Sequence, residues 1–196
     1  PPAGDGKPER LADLAGRIAA CTRCGLCAGR RNPVPGEGDP DTRILFIGEA
    51  PGADEDQQGR PFVGAAGQLL ERMILAMGFR REQVFIANVL KCRPPGNRTP
   101  EPGEVAACLP WLEHQVAVIA PAVICTLGNT PLKALRPEAA GITRERGRRF
   151  LWRDIPVIPT FHPSYLLRNE AAKKPCWEDL KLVLAELGLT PPRRGS

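Results

Sequence analysis

Four short apolar runs, spaced by segments with helical patterning, constrain this chain more than any other feature. The runs are Arg43–Gly48, Val84–Ala87, Ala122–Leu127 and Pro156–Thr160. Helical patterns fall at Gly67–Met77, Glu104–Ala120, Asn129–Leu135 and Trp177–Leu187, and a short helix, Glu9–Ala20, precedes the first run. Parallel strands need long crossover connections, and the crossover is usually a helix, so this alternation predicts an α/β fold with a parallel sheet covered on both faces. Such sheets place ligands at the carboxyl ends of their strands. The unusual loops lie there: GEAPGADEDQQGRPFVG (Gly48 to Gly64), NVLKCRPPGNRTPEPGE after the second run, and FHPSYLLRNE after the last.

The 196 residues suit one domain, expected over residues 9–190 with flexible tails at 1–8 and 191–196. A net charge of +5 and a pI of about 9.0 fit a polyanionic partner without demanding one. No apolar run approaches the ~18 residues of a membrane-spanning helix. The opening PPAGDGKPER is polar and breaker-rich, unlike a signal peptide, so the expected location is the cytoplasm, with no membrane partner.

Seven cysteines are many for a reducing compartment, where disulfides are rare, which makes a metal or cluster site the natural question. Cys21 and Cys24 form a C-x-x-C after the first helix, while Cys92 and Cys108 flank a proline-rich loop. Four thiolates from two pairs can hold zinc or an iron–sulfur cluster. The wide spacing of the second pair favours a cluster. Cys27 extends the first pair to C-x-x-C-x-x-C, but the fourth ferredoxin cysteine and its proline do not follow, so it reads as a spare thiol. Cys125 inside an apolar run and Cys176 beside Trp177 read as packing.

GEAPG…EDQQGRPFVG, Asn88-Val89-Leu90-Lys91-Cys92-Arg93-Pro94-Pro95 and His162-Pro163-Ser164-Tyr165-Leu166-Leu167-Arg168, in that order, resemble the family four, iron–sulfur uracil-DNA glycosylases. The likeness runs from Cys21 to Arg168. It implies a three-layer α/β/α fold with a central four-stranded parallel sheet, and a 4Fe-4S cluster on Cys21, Cys24, Cys92 and Cys108. It also implies a monofunctional DNA-repair hydrolase, a monomer, acting on uracil in single- or double-stranded DNA and leaving an abasic site.

The resemblance assigns roles that the residue types can fill. Phe62 supplies a stacking face for the extruded pyrimidine. Asn88 offers an amide donor and a carbonyl acceptor to the pairing edge of uracil. His162 donates to O2 and stabilises the departing anion. Gly48, Glu49 and Ala50 form the turn that approaches the base, with the Glu49 carboxylate placed to orient water or offset charge on the sugar. Glu55 crowds the C5 edge against thymine, whereas Asp54 and Asp56 read as solvated or loop-capping. Leu166 and Leu167, apolar in a polar loop, suit a wedge that fills the gap left by the flipped base. Arg168, with Arg93, Arg98 and the run Arg144 to Arg149, suits phosphates. His114 reads as a surface histidine.

Two features separate this chain from relatives. Lys91 to Thr99 runs directly into Pro100 without the basic, histidine-ended insert of a sister group that traps itself on DNA, which favours turnover. Ala50 stands where some relatives have glycine. Two other functions compete with the glycosylase: an iron–sulfur electron carrier, and a catalytically inactive DNA-binding module bearing zinc. The electron carrier has no use for Phe62, Asn88 and His162 in three separate strand-end loops, and the zinc-bearing module would be favoured by a colourless purified protein.

Overall fold

The computed structural model describes residues 6–192. The expected tails therefore fall partly outside the described residues, at 1–5 and 193–196. Lys7 and Pro8, expected in the first tail, already belong to helix α1 (Lys7–Ala19), where proline in the first turn removes an N–H that has no helical partner anyway.

The chain continues through β1 (Glu37–Gly38), β2 (Ile44–Gly48), α2 (Ala53–Gln58), α3 (Ala65–Ala76), β3 (Phe85–Asn88) and α4 (Pro102–Ile119). It then forms β4 (Val123–Leu127), α5 (Asn129–Leu135), α6 (Ile142–Glu145), β5 (Phe150–Trp152), β6 (Ile155–Thr160), α7 (Pro163–Arg168) and α8 (Lys173–Glu186). The sheet order is β1-β3-β2-β4-β6-β5. The inner four strands are parallel and are the four apolar runs of the sequence. The expected four-stranded sheet is corrected to six: β1 and β5 add antiparallel edges. β1 is two residues long, too short for any periodic signal. β5 folds back on β6 through Arg153 and Asp154, both at positive φ (51° and 64°), the geometry of a tight hairpin turn.

Every residue of β2 and β4 is buried, as expected of strands covered on both faces. Leu45 and Ile47 face one layer, with Leu14 and Ile18 of α1 and Leu112 and Val116 of α4. Ile44 and Phe46 face the other, with Leu70 and Ile74 of α3 and Leu180, Val183 and Leu184 of α8. The period-two alternation thus builds two cores, one per face, and the fold is three-layer α/β/α. Parallel pairing brings the carboxyl ends of β2, β3, β4 and β6 to one edge, with Gly48 level with Asn88.

Candidate active site and cysteine cavity

At that edge lies a cavity of about 280 Å³, near the ~300 Å³ lower end of small-molecule sites. Glu49, Ala50, Glu55, Phe62, Asn88 and His162 all line it. Gly48 does not line it but packs behind it. A Cβ there would lie 2.4 Å from Asn88 Oδ1 and 2.5 Å from the Phe62 ring, so the strand must end in glycine to let these two side chains meet. Gly128, at φ 92°, plays the same part for His162, whose Cβ would come within 3.1 Å of a side chain at 128.

Phe62 is buried between α2 and α3 at φ 51°, a left-handed conformation rare for a bulky residue. Its ring lies 5.6 Å from that of His162, tilted by 33°. Asn88 is only 2% exposed, and its buried Oδ1 has no hydrogen-bond partner among the described residues. Buried acceptors are normally satisfied, so this one marks a place where a ligand is expected to donate.

His162 caps α7. The backbone N–H of Ser164 donates to Nδ1 at 3.1 Å, and Ser164 Oγ lies 2.7 Å from the same nitrogen. Accepting from a backbone amide requires a bare Nδ1, so the neutral ring carries its proton on Nε2. Burial pushes the histidine pKa down to about 4, against the opposing pull of the Glu55 charge. The ring is therefore a neutral N–H donor at physiological pH.

Glu49 accepts a hydrogen bond from Thr130 Oγ1, in the first turn of α5. Glu55 binds its own loop: its carboxylate accepts from the backbone N–H groups of Gly52, Val63 and Gly64 at 2.9–3.0 Å. Asp56 is buried and accepts from Arg31 N at 2.9 Å, so it caps a loop rather than facing water. Asp54 is exposed.

The expected wedge needs correction. Leu166 is 2% exposed and packs with Leu69, Phe161 and Cys176, because α7 is a helix with an inner side rather than a polar loop. Leu167 is 47% exposed, and Arg168 beside it is exposed too. Two arginines of the run, Arg146 and Arg149, are committed within the protein. Arg146 pairs with buried Asp179 at 2.7 Å, and Arg149 pairs with Glu186 at 2.8 Å. Arg98 lines the cavity, with its guanidinium on Glu104 at 2.6 Å. His114 is exposed, as expected.

Cys21, Cys24, Cys92 and Cys108 line a second cavity, and Cys27 joins them there. Three of the sulfurs receive hydrogen bonds: Arg30 Nη1 to Cys92 at 3.2 Å, Lys91 N to Cys108 at 3.2 Å and Trp111 Nε1 to Cys21 at 3.4 Å. Burial pushes the Cys108 thiol up to about 11. Among the described residues, no three His, Cys, Asp or Glu side chains converge on a point suited to one metal ion. Cys125 and Cys176 are buried elsewhere, as the sequence suggests.

Sequence reasoning missed Thr130. It follows the Gly128 turn at the end of β4, the one parallel strand whose loop carries no long motif. It also missed Glu37 and Arg81, whose contacts join segments far apart in the chain.

The sequence profile of the uracil DNA glycosylase superfamily matches residues 35–181. A type-4 uracil-DNA glycosylase of Sulfurisphaera tokodaii is 44% identical, over 94% of this chain and 88% of its own length. One from Thermotoga maritima is 50% identical, over 84% of this chain and 87% of its own. A type-5 uracil-DNA glycosylase of Thermus thermophilus is 36% identical over 53% of each chain.

Proposed function

Because the chain belongs to the uracil DNA glycosylase superfamily, we propose that it is a uracil-DNA glycosylase, hydrolysing the N-glycosidic bond of uracil in DNA to leave an abasic site for base excision repair. The observation that carries the reading is Asn88, whose buried Oδ1, on the wall of a base-sized cavity, has no partner among the described residues. Uracil presents N3–H between two carbonyls. N3–H suits Asn88 Oδ1, O4 suits the amide N–H, and O2 suits the neutral Nε2–H of His162.

The base must first leave the stack, at a cost of a few kcal/mol, and Phe62 offers the face on which it lands. As the C1′–N1 bond breaks, its electron pair moves into the base and negative charge grows on O2. The His162 N–H strengthens its bond as that charge develops, so it lowers the barrier rather than merely binding substrate. Glu49, oriented by Thr130, supplies a carboxylate to offset charge on the sugar and to align the water that adds at C1′. Glu55, pinned by three backbone donors, narrows the wall where the thymine methyl would sit. Leu167 and Arg168 would serve the gap and the phosphates.

Cys21, Cys24, Cys92 and Cys108 would hold a 4Fe-4S cluster. The four cysteines share one cavity, and thiolates are the ligands that such a cluster takes. The N–H donors from Arg30, Lys91 and Trp111 suit the sulfur charge that such a cluster carries. When bound, the group supplies a cross-link joining the end of α1, the proline-rich loop and α4.

The test is incubation of the cluster-loaded protein with an oligonucleotide carrying one uracil, followed by alkaline cleavage at abasic sites. Scission at uracil alone is expected. Intact strands would refute the reading.

A further inference from the structure

We propose that Glu37 and Arg81 form a latch that fixes the plane of Phe62, making both positioning residues for uracil excision although neither lines the cavity. The proposal rests on Phe62 being the stacking face for the base.

Phe62 needs such a latch. Its φ of 51° is one that a bulky residue holds only when its surroundings over-determine it. From below, Gly67 lies so close that a Cβ there would fall 1.9 Å from the Phe62 carbonyl oxygen. From the side, that carbonyl accepts from Arg81 Nη1 at 2.9 Å, and the Pro61 carbonyl accepts from Arg81 Nη2. Two successive carbonyls are thus held in one guanidinium fork, a geometry that lysine cannot reproduce.

The fork is itself fixed. Arg81 Nε donates to Glu37 Oε1 at 2.9 Å, and its side chain is 13% exposed. The same carboxylate accepts from Arg60 Nε at 2.8 Å and Arg60 Nη2 at 3.0 Å. Glu37 therefore grips the segment 60–62 twice, through Arg60 directly and through Arg81. It sits on edge strand β1, opposite Ile86 of β3, while Arg81 lies in the turn leading into β3. The two-residue edge strand thereby ties the Phe62 segment to the strand that ends in Asn88. Ring and amide, the two groups that would contact the base, are set against one another.

The experiment measures single-turnover excision, oligonucleotide affinity, cluster absorbance and melting for Arg81→Ala, Arg81→Lys, Glu37→Gln and Phe62→Ala, with Arg80→Ala as an exposed control. A misplacement of ~1 Å can cost about 10²-fold in rate, so Arg81→Ala should lose on that order while affinity stays parental. Arg81→Lys should stay slow, and Glu37→Gln should fall between Arg81→Ala and the parent. Millimolar guanidinium should restore part of the Arg81→Ala rate but none of the Phe62→Ala rate. If Arg81→Ala does not fold, Glu37→Gln carries the test. Parental rates in Arg81→Ala and Glu37→Gln, beside a slow Phe62→Ala, would overturn the latch and leave the stacking role standing. A parental rate in Phe62→Ala would overturn the stacking role itself. A loss that follows melting temperature and ignores guanidinium would reduce the pair to fold stability.

Discussion

The backbone N–H of Ser164 donates to Nδ1 of His162 at 3.1 Å, and this one bond decides which face of the imidazole carries the proton. With Nδ1 occupied as an acceptor, the neutral ring donates through Nε2. Burial makes that neutral form the stable one, holding the pKa at about 4 rather than the ordinary 6.5.

A pH dependence follows. Lowering pH through 6.5 should leave His162 neutral, because its folded pKa lies below that value. The single-turnover rate should therefore hold from neutrality down to about pH 5, and fall only as the ring protonates near the lower value. An inflection near 6.5 that disappears in His162→Gln would show instead that the ring titrates as an exposed histidine does.

Thr130 orients Glu49 through its hydroxyl. Hydrogen bonds to charged groups are worth about 1.5–3 kcal/mol, so Thr130→Val should slow excision roughly tenfold or more while Thr130→Ser stays near parental. Equal rates in all three proteins would remove Thr130 from the site.

Leu166 and Leu167 are neighbours with opposite surroundings. Leu166→Ala should destabilise the fold by about 2–5 kcal/mol and affect single- and double-stranded substrates alike. Leu167→Ala should leave melting unchanged and weaken excision from duplex DNA more than from single strands, since a single strand has no gap to fill. Equal losses on both substrates for Leu167→Ala would remove the wedge.

The cysteines divide likewise. Cys92→Ala and Cys108→Ala should remove the brown colour expected of a cluster-loaded protein and lower its melting temperature, because cluster binding is coupled to folding. Cys27→Ala and Cys125→Ala should keep the colour. Metal analysis finding one zinc and no iron would overturn the cluster.

How much of this was legible in the sequence differs by element. The four inner strands fall within a residue of their expected bounds, because strands covered on both faces are written as apolar runs, and α5 keeps its expected bounds too. The edge strands were not legible. β1 has two residues, and the β5–β6 turn needs positive φ at Arg153, which composition does not advertise. Phe62, Asn88 and His162, expected from the order of their motifs rather than from periodicity, line one cavity. Leu166 was misjudged because a short helix after a proline looks like a polar loop when read as text. The Glu37–Arg81 contact, 44 residues apart, leaves no local trace at all.

The most direct test of the central claim is the single-turnover rate of cluster-intact His162→Ala on a uracil-containing oligonucleotide. A donor that acts as charge develops on O2 should cost about 10²–10³ in rate when lost, with DNA affinity unchanged. Asn88→Asp, which sets a carboxylate against O4, should also lose uracil excision, which serves as a check on base reading. Uracil release by His162→Ala at the parental rate, with the cluster's colour retained, would contradict the account.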